Sequence, residues 1–230
     1  MSIRKKILAI SIGPVLVLGV ITLLFMLTMV KSSLMDEVQD ALKGTAAATL
    51  AAYDQNTGDY LESTNGDIWK GSYNISKSES LVDRIKENTG MDVTFFYGNK
   101  RIMTSALDKK GNRILGSEAG ERVVNQVIKG KKPFFSTNVS LDGTRNYGYF
   151  IPVYQNGTTD QVIGMVFVGT NKARKDAIVN KILGSIMMAL LVVMFLCIVT
   201  AMRMAASISK NIKNSVAVVG KLADGDLNVW

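Results

Sequence analysis

The chain has 230 residues, 47% of them hydrophobic, and a formal net charge of +8, a composition too apolar for a disordered protein. It contains no histidine and one cysteine, Cys197, so Ser-His-Asp and Cys-His catalysis, most zinc sites and an intrachain disulfide are excluded. The densest basic clusters flank two apolar runs instead of forming a patch, which argues against nucleic-acid binding.

The first predicted element is a membrane-spanning helix over residues 7–30, which follows a cytoplasmic N-terminus over residues 1–6. The run carries no charge, and at about 1.5 Å per residue it measures roughly 36 Å, enough to cross a hydrocarbon core of about 30 Å. Basic residues before the run also suit a cleavable signal peptide. An h-region of about 7–15 residues is shorter than this run, however, and no small-residue cleavage site follows. We therefore expect a retained anchor.

A second apolar run predicts another membrane-spanning helix over residues 182–202. It is free of charge, and Arg203, Lys210 and Lys213 follow it. Because short cytoplasmic segments are enriched in Lys and Arg, basic residues at the outer ends of both runs place both termini in the cytoplasm. Residues 31–181 then form an extracytoplasmic domain, in a multi-pass protein of the inner or plasma membrane that has the lipid bilayer as a partner.

The extracytoplasmic segment has the length of one domain. Leu34, Val38 and Leu42 repeat at helical spacing, so the first membrane helix is expected to continue outward as one long helix. Residues 53–74 are rich in Gly, Asn, Asp, Ser and Thr and predict loops and short turns. A short helix is expected over residues 79–88.

The rest of the domain is predicted as strands and turns around one more helix. Gly98 and Asn99 lie between two apolar segments, which predicts a hairpin. The helix is expected over residues 120–129, followed by Gly130. The expected strands are residues 92–97, 101–107, 133–140, 145–154 and 161–170. The fold class is therefore α+β, with five mostly meander-like strands between two transmembrane helices, and no flexible linker separates the last strand from the second membrane helix.

Several short motifs stand in a fixed order within this domain. An R-x-x-T element at Arg101 and Thr104 precedes a glycine-bounded turn over residues 111–116, and an aromatic strand with a proline precedes a closing I-G-M strand. With the order of elements around them, residues 94–135 and 147–169 resemble the single Cache domains of bacterial chemoreceptors, the methyl-accepting chemotaxis proteins. The resemblance implies a PAS-like fold, in which a five-stranded antiparallel sheet carries the long N-terminal helix on one face and a small-molecule pocket on the other.

The resemblance also implies a small-molecule ligand, since the family's pockets commonly take small carboxylates, amino acids or related metabolites. Arg suits a carboxylate because its planar fork binds in bidentate fashion, and tyrosines at alternate strand positions share one face. The alternative for each such residue is an ordinary solvated or packed side chain. The candidate ligand-binding residues are Arg101, Thr104, Arg113, Lys132, Arg145, Tyr147 and Tyr149. No cofactor, metal or catalytic group is expected, since histidine is absent and neither phosphate-loop glycine motif occurs.

The C-terminal segment, residues 203–230, carries a short heptad seam that ends in a G-D-L element. The seam with its element comprises Ile208, Ile212, Ser215, Val219, Leu222, Gly225, Asp226 and Leu227. This segment resembles the start of a HAMP module, a cytoplasmic coiled-coil relay, although Asn211 stands where that family usually has a proline. An ordinary amphipathic juxtamembrane helix is the alternative. The seam predicts a partner helix and thus a homodimer, the state in which receptors of this type work.

Together these features predict a chemoreceptor, in which an external ligand biases the packing of the membrane helices. The relay then passes the signal to a cytoplasmic output domain and its signalling proteins. One alternative has the same front end, namely the sensory half of a histidine kinase or nucleotide cyclase; the other is a two-pass membrane anchor or adhesion protein without a relay. Sequence beyond Trp230 distinguishes these functions. A heptad-rich hairpin there favours the chemoreceptor, and a phosphoacceptor histidine or a nucleotide-binding motif favours the histidine kinase or cyclase. No enzymatic activity is expected within the chain itself.

Overall fold

The computed structural model describes residues 3–223, with side chains described for residues 9–220. The chain divides into two compact units, of which Ser33–Ile178 is one and the segments before and after it are the other. The helices are α1 (Ile3–Asp54), α2 (Glu79–Thr89), α3 (Glu121–Val123) and α4 (Lys172–Ala223). The strands are β1 (Tyr60–Glu62), β2 (Ile68–Lys70), β3 (Tyr73–Asn74), β4 (Asp92–Tyr97), β5 (Lys100–Thr104), β6 (Phe134–Leu141), β7 (Thr144–Tyr154) and β8 (Val162–Asn171).

The two apolar runs lie in the long helices α1 and α4. Each helix has 52 residues and qualifies, by length and composition, as a candidate membrane span. Only 6% of the most apolar window of each is buried, whereas a core helix would be mostly buried. The predicted spans over residues 7–30 and 182–202 lie inside these helices. The predicted continuation of the first helix beyond residue 30 is confirmed, since α1 runs unbroken to Asp54.

The C-terminal part of α1 packs on the sheet through one face. Val38, Leu42 and Ala46, spaced four residues apart, are 9%, 0% and 0% exposed, and Tyr53 at the end of the helix is fully buried. Side chains four apart lie on one side of a helix. The spacing visible in the sequence therefore corresponds to the stripe that covers the sheet.

The five strands β4 to β8 form one antiparallel sheet in the order β5, β4, β8, β7, β6. The expected number of strands and their antiparallel pairing are confirmed. The expected mostly meander-like order holds for three of the four neighbouring pairs; the exception is that β8 also pairs with β4, which places β8 at the centre. The reason is composition: β8 is apolar almost throughout, and a strand buried on both faces belongs in the middle of a sheet.

The sheet has a hydrophobic cluster on each face. On the α1 face, Val93, Phe95 and Val166 pack with the helix residues. On the opposite face, the cluster is built from the alternate residues Phe96 and Phe167 together with residues of the other strands and of the π-helix described below. The long helix therefore occupies one face only, and the other face is free to form a cavity.

Residues 60–74, predicted as loops and turns, form a second, three-stranded antiparallel sheet of β1, β2 and β3. Its inner side chains Tyr60, Ile68 and Lys70 are 1–2% exposed. The Lys70 ammonium lies 4.4 Å from the Tyr60 ring centroid and 3.9 Å from the Asp54 carboxylate. Strands of two or three residues are too short to produce a readable alternation, so the sequence predicted only their turns.

The helix expected over residues 120–129 begins as α3 and continues as a π-helix over Val124–Lys129. The amide of Gly130 donates to the carbonyl of Asn125 at 3.0 Å, five residues back. A Cβ at Gly130 would lie 2.6 Å from the carbonyl oxygen of Gln126, so this wide turn needs a glycine at its end. Hydrophobic spacing does not distinguish an α-turn from a π-turn, and π-turns often occur at functional sites.

The predicted relay lies on or beyond the last part of α4. Ile208, Ile212 and Val219 are 42%, 38% and 64% exposed. The Leu222 side chain and Gly225, Asp226 and Leu227 lie outside the described residues. The HAMP-like relay and the domain boundaries stay predictions.

Candidate ligand-binding site

A cavity of about 510 Å³ lies on the sheet face opposite α1. Its walls come from β4, β5, β6, β7 and β8 and from the segment that leads into the π-helix. The lining residues are Phe96, Arg101, Glu118, Ala119, Gly120, Arg122, Val123, Phe134, Phe135, Ser136, Thr137, Asn138, Val139, Ser140, Phe150 and Phe167. The site thus combines phenyl rings with a few charged and hydroxyl groups, as small-molecule pockets commonly do.

A β-bulge in the hairpin of β4 and β5 turns Arg101 toward this cavity. Phe95 pairs with Met103, but the next residue, Phe96, pairs with Arg101, so Ile102 is the extra residue of β5. Without the bulge, Arg101 would share the face of Met103, which packs on the α1 side. The extra residue puts Arg101 beside Phe96 on the cavity side.

Arg101 carries a buried positive charge that few neighbouring groups stabilise. The residue is 8% exposed, and its Nη1 donates to the Ile114 carbonyl at 3.3 Å. Its Nε is buried and has no hydrogen-bond partner among the described residues. Burial lowers the pKa of the Arg101 guanidinium, while the charge of Asp92 acts in the opposite direction. A buried, unsatisfied donor on a charged group costs free energy that an incoming acceptor can recover.

The floor of the cavity is aromatic. The ring centroids of Phe150 and Phe167 lie 4.7 Å apart, and those of Phe134 and Phe150 lie 6.4 Å apart. Phe167 can lie flat because Gly148 and Gly169, which are register partners on β7 and β8, leave room beneath it. A Cβ at Gly148 would meet the Phe167 ring at 2.5 Å.

The polar wall comes from a second bulge, in edge strand β6. Ser136 pairs with Gly148 and Val139 with Asn146, so Thr137 and Asn138 together oppose one residue of β7. A bulge bends the strand and frees side chains from the regular alternation. Four polar residues of this strand line the cavity: Ser136, Thr137, Asn138 and Ser140.

Of the seven predicted ligand residues, all of them described, Arg101 alone lines the cavity. Thr104 is buried between strands, where its hydroxyl shares a 2.7 Å hydrogen bond with Thr94. Arg113 pairs with Asp83 of α2, and Lys132 and Arg145 are exposed. The remaining two candidates, Tyr147 and Tyr149, pack in the cluster on the α1 face.

The phenylalanines of the cavity floor were not among the predicted ligand-binding residues, although they alternate along the strands with residues of the other face. Phe150 on β7 and Phe167 on β8 show the same period of two, but the sequence does not reveal which face the long helix covers. Arg122 lies on the helix expected over residues 120–129, and no motif in the sequence marks it as a ligand residue. One feature of the sequence does point to this side of the sheet. Gly148 stands within an aromatic strand, and a glycine in such a position indicates that other atoms approach the backbone closely.

Arg113 and Asp83 form the ion pair that fastens the loop after β5 to α2. Arg113 Nη1 donates to Asp83 Oδ1 at 2.9 Å and to the Thr104 carbonyl at 2.7 Å. The hydrogen bond from Arg113, aided by its charge, holds the pKa of Asp83 below its usual range. The pair is therefore a structural contact within the domain.

This depressed pKa gives a pH prediction. A carboxyl group that binds protons less readily when folded contributes stability above its unfolded pKa of about 3.9 and loses it as the pH falls through the lower folded value. We expect Asp83→Asn to lower the thermal midpoint of the detergent-solubilised chain at pH 7 and to reduce the loss between pH 5 and pH 2. Asp160→Asn, an exposed loop residue, is the control. An unchanged acid limb in Asp83→Asn would contradict the assignment.

A polar cluster joins β7 to the first turn of α4. The Lys172 ammonium donates to the Tyr147 hydroxyl at 2.6 Å, that hydroxyl donates to Asp176 Oδ1, and Lys172 lies 3.1 Å from Asp176 Oδ2. Burial, followed by the hydrogen bond to Asp176, raises the pKa of Tyr147. Tyr147 thus fixes the start of α4 to a strand whose other face carries Phe150 into the cavity.

Residues 73–182 match the family model described as single cache domain 3. The central part of the chain is therefore similar to a single Cache domain, and a long apolar helix lies on each side of it in the sequence. Among solved structures, an extracellular ligand binding receptor from Desulfohalobium retbaense DSM5692 is similar at 14% identity and a TM-score of 0.46, over 65% of this chain and 26% of that one. The DcuS sensor domain of E. coli is similar at 13% identity and a TM-score of 0.38, over 66% of this chain and 98% of that one. No curated protein sequence gives a significant match to the chain.

Proposed function

We infer that the chain is the sensory part of a transmembrane receptor, in which a small organic anion binds the cavity from outside the cell. The observation that carries this proposal is Arg101, an enclosed cation that lines the cavity and whose Nε has no hydrogen-bond partner among the described residues, within a segment that matches a Cache-domain model. A carboxylate would accept charge-assisted hydrogen bonds from this group, and such bonds are about twice as strong as neutral ones. Chemotaxis is the output that the sequence resemblance favours.

The direct test is a panel of metabolite acids, screened by thermal unfolding of the full chain in lipid nanodiscs. A ligand that binds only the folded state raises the unfolding midpoint, by an amount that grows with its concentration over its Kd. We expect at least one acid to raise the midpoint of the wild type and to leave Arg101→Met unaffected. If no compound stabilises the wild type, the proposed sensory function fails.

The membrane arrangement has its own test. We propose that both termini are cytoplasmic and that residues 31–181 are outside, because the basic residues stand at the outer ends of the two apolar runs. In a Cys197→Ser background, Lys110→Cys in an exposed loop should react with a membrane-impermeant maleimide on intact cells. Lys210→Cys should react only after the cells are opened. The reverse pattern would overturn the arrangement.

Transmission is proposed to run from the cavity through β7 and β8 into α4. The last residue of β8, Asn171, directly precedes the first residue of α4, and the Tyr147 cluster ties β7 to the same turn. A ligand that binds one arrangement of these strands more tightly than another would shift the population of the helix positions. The heptad seam in α4 suits a partner helix, and we propose a homodimer as the unit in which this shift is transmitted.

Tyr147→Phe is expected to uncouple binding from transmission. The substitution keeps the ring stacked on Phe135, at 6.3 Å between centroids, but removes the hydroxyl that contacts Lys172 and Asp176. Ligand affinity should change less than about 3-fold, since Tyr147 does not line the cavity and its ring contact with Phe135 is kept, whereas the ligand-dependent change in crosslinking should be lost. The measurement is disulfide crosslinking between copies carrying Ile212→Cys, in a Cys197→Ser background with and without ligand.

Tyr149→Phe is the matched control. Tyr149 lies two residues along the same strand and on the same face, but it does not take part in the cluster at α4. The control should retain the ligand-dependent change in crosslinking. If Tyr147→Phe also retains it, the cluster does not transmit the signal.

A further inference from the structure

Two arginines of the cavity each face a phenylalanine ring. The guanidinium carbon of Arg101 lies 5.3 Å from the ring centroid of Phe96, and that of Arg122 lies 5.3 Å from the ring centroid of Phe134. A planar guanidinium stacks on aromatic faces and binds acid groups along its N–H edge. The cavity therefore offers both kinds of contact, a stacking surface and an acid-binding edge, within one space.

The phenyl rings extend this surface across the floor. Phe134, Phe150 and Phe167 follow one another at centroid distances of 6.4 Å and 4.7 Å, and all three line the cavity. An apolar or aromatic ligand body gains free energy by covering such rings, and aromatic pairs add roughly 0.5–1.5 kcal/mol beyond the area they bury. A ligand consisting only of an acid group leaves this wall uncovered.

The net charge of the lining residues and the volume of the cavity further restrict the class of ligand that fits. The charged residues that line the cavity are Arg101, Arg122 and Glu118, so their formal charges sum to +1. One negative charge on the ligand balances this sum, whereas a second would be in excess and would be repelled by Glu118. The volume of about 510 Å³ also exceeds what an acid of two to four carbons fills, since pockets of this size hold larger organic molecules.

We propose that the cavity selects organic acids with a single carboxylate and an aromatic or similarly bulky apolar body. In the bound state the carboxylate accepts hydrogen bonds from the Arg101 guanidinium, and the body lies on the wall of phenyl rings near Arg122. This inference rests on the proposed sensory function and specifies the ligand class of the same cavity.

The test is isothermal titration calorimetry on the full chain in lipid nanodiscs, with phenylacetate as the probe. Four compounds serve for comparison. Acetate lacks the ring, butanedioate carries a second charge, phenylacetamide lacks the charge, and phenylalanine adds an ammonium group. Phenylacetate should bind at least about 10-fold more tightly than each of them, because each loses a contact or adds a repulsion. Arg122→Gln and Phe134→Leu should lower the preference for phenylacetate over acetate, and the exposed Arg145→Gln should not.

The outcomes separate this inference from the proposed function. Equal binding of phenylacetamide, tighter binding of butanedioate, acetate or phenylalanine, or an unchanged preference in Arg122→Gln and Phe134→Leu would each overturn the ligand class. If no probe binds but another compound of the metabolite panel stabilises the wild type and not Arg101→Met, the ligand class fails and the sensory function stands. If nothing in either set binds, both fail.

Discussion

Arg101→Met is expected to leave the free protein as stable as the wild type, or more stable, while ligand affinity falls by about 30-fold or more. The stability part follows from burial: the guanidinium is 8% exposed, and its Nε has no partner among the described residues. Replacing a poorly compensated buried charge with an apolar side chain of similar length is often neutral or stabilising. The loss of the contact with the Phe96 ring offsets part of that gain.

The affinity part follows from the contact that methionine cannot make. Removing one partner of a buried, hydrogen-bonded charge pair costs about 2–5 kcal/mol, and 2 kcal/mol corresponds to about 30-fold in Kd. Thermal unfolding gives the stability and calorimetry gives the Kd, both on the full chain in nanodiscs. Arg101→Lys should retain part of the affinity, because the charge remains but the planar fork is lost. A destabilised Arg101→Met protein with normal affinity would show that Arg101 is structural only.

The scaffold could be predicted from the sequence because it depends on periodic patterns. Leu42 and Ala46 mark the stripe of α1 that covers the sheet, and both are fully buried. The apolar run near the end of the domain predicts a strand over residues 161–170, and β8 covers Val162–Asn171. Gly90 ends α2 with a φ of 67°, a left-handed conformation that glycine adopts without strain. In each case a local pattern of residue types is enough to determine the local structure.

The candidate site was only partly predictable, because it depends on departures from periodicity. Arg101 was selected for its residue type, but its orientation results from the extra residue Ile102, which strict alternation does not reveal. Tyr149 was placed correctly beside Tyr147 on one face, yet that face is the one covered by α1. Arg145 lies beyond the end of the pairing between β7 and β8, where the strand edge is exposed. The sequence alone indicates which side chains share a face but not what lies opposite that face.

Gly164→Ala is expected to lower the stability of the domain strongly. Gly164 lies on the central strand β8 opposite Tyr97 of β4, and a Cβ there would overlap the backbone carbonyl oxygen of Phe96 and lie 3.2 Å from the Cα of Tyr97. Because the obstructing atoms belong to the backbone, the two strands must separate locally. We expect a cost of about 3 kcal/mol, which lowers the thermal midpoint by roughly 6–12 °C.

Gly44→Ala is the matched control for this prediction. Gly44 lies in the C-terminal part of α1, where a Cβ would meet nothing within 4 Å, and alanine is favoured over glycine in a helix by up to about 1 kcal/mol. The control should therefore raise the thermal midpoint, whereas the same added methyl group at position 164 lowers it. Separation of β4 from β8 also moves Phe96 relative to Phe167 across the cavity wall, so Gly164→Ala should weaken ligand binding as well as stability. Equal midpoints for the two variants would mean that the central pair of strands tolerates a side chain where its backbones are closest.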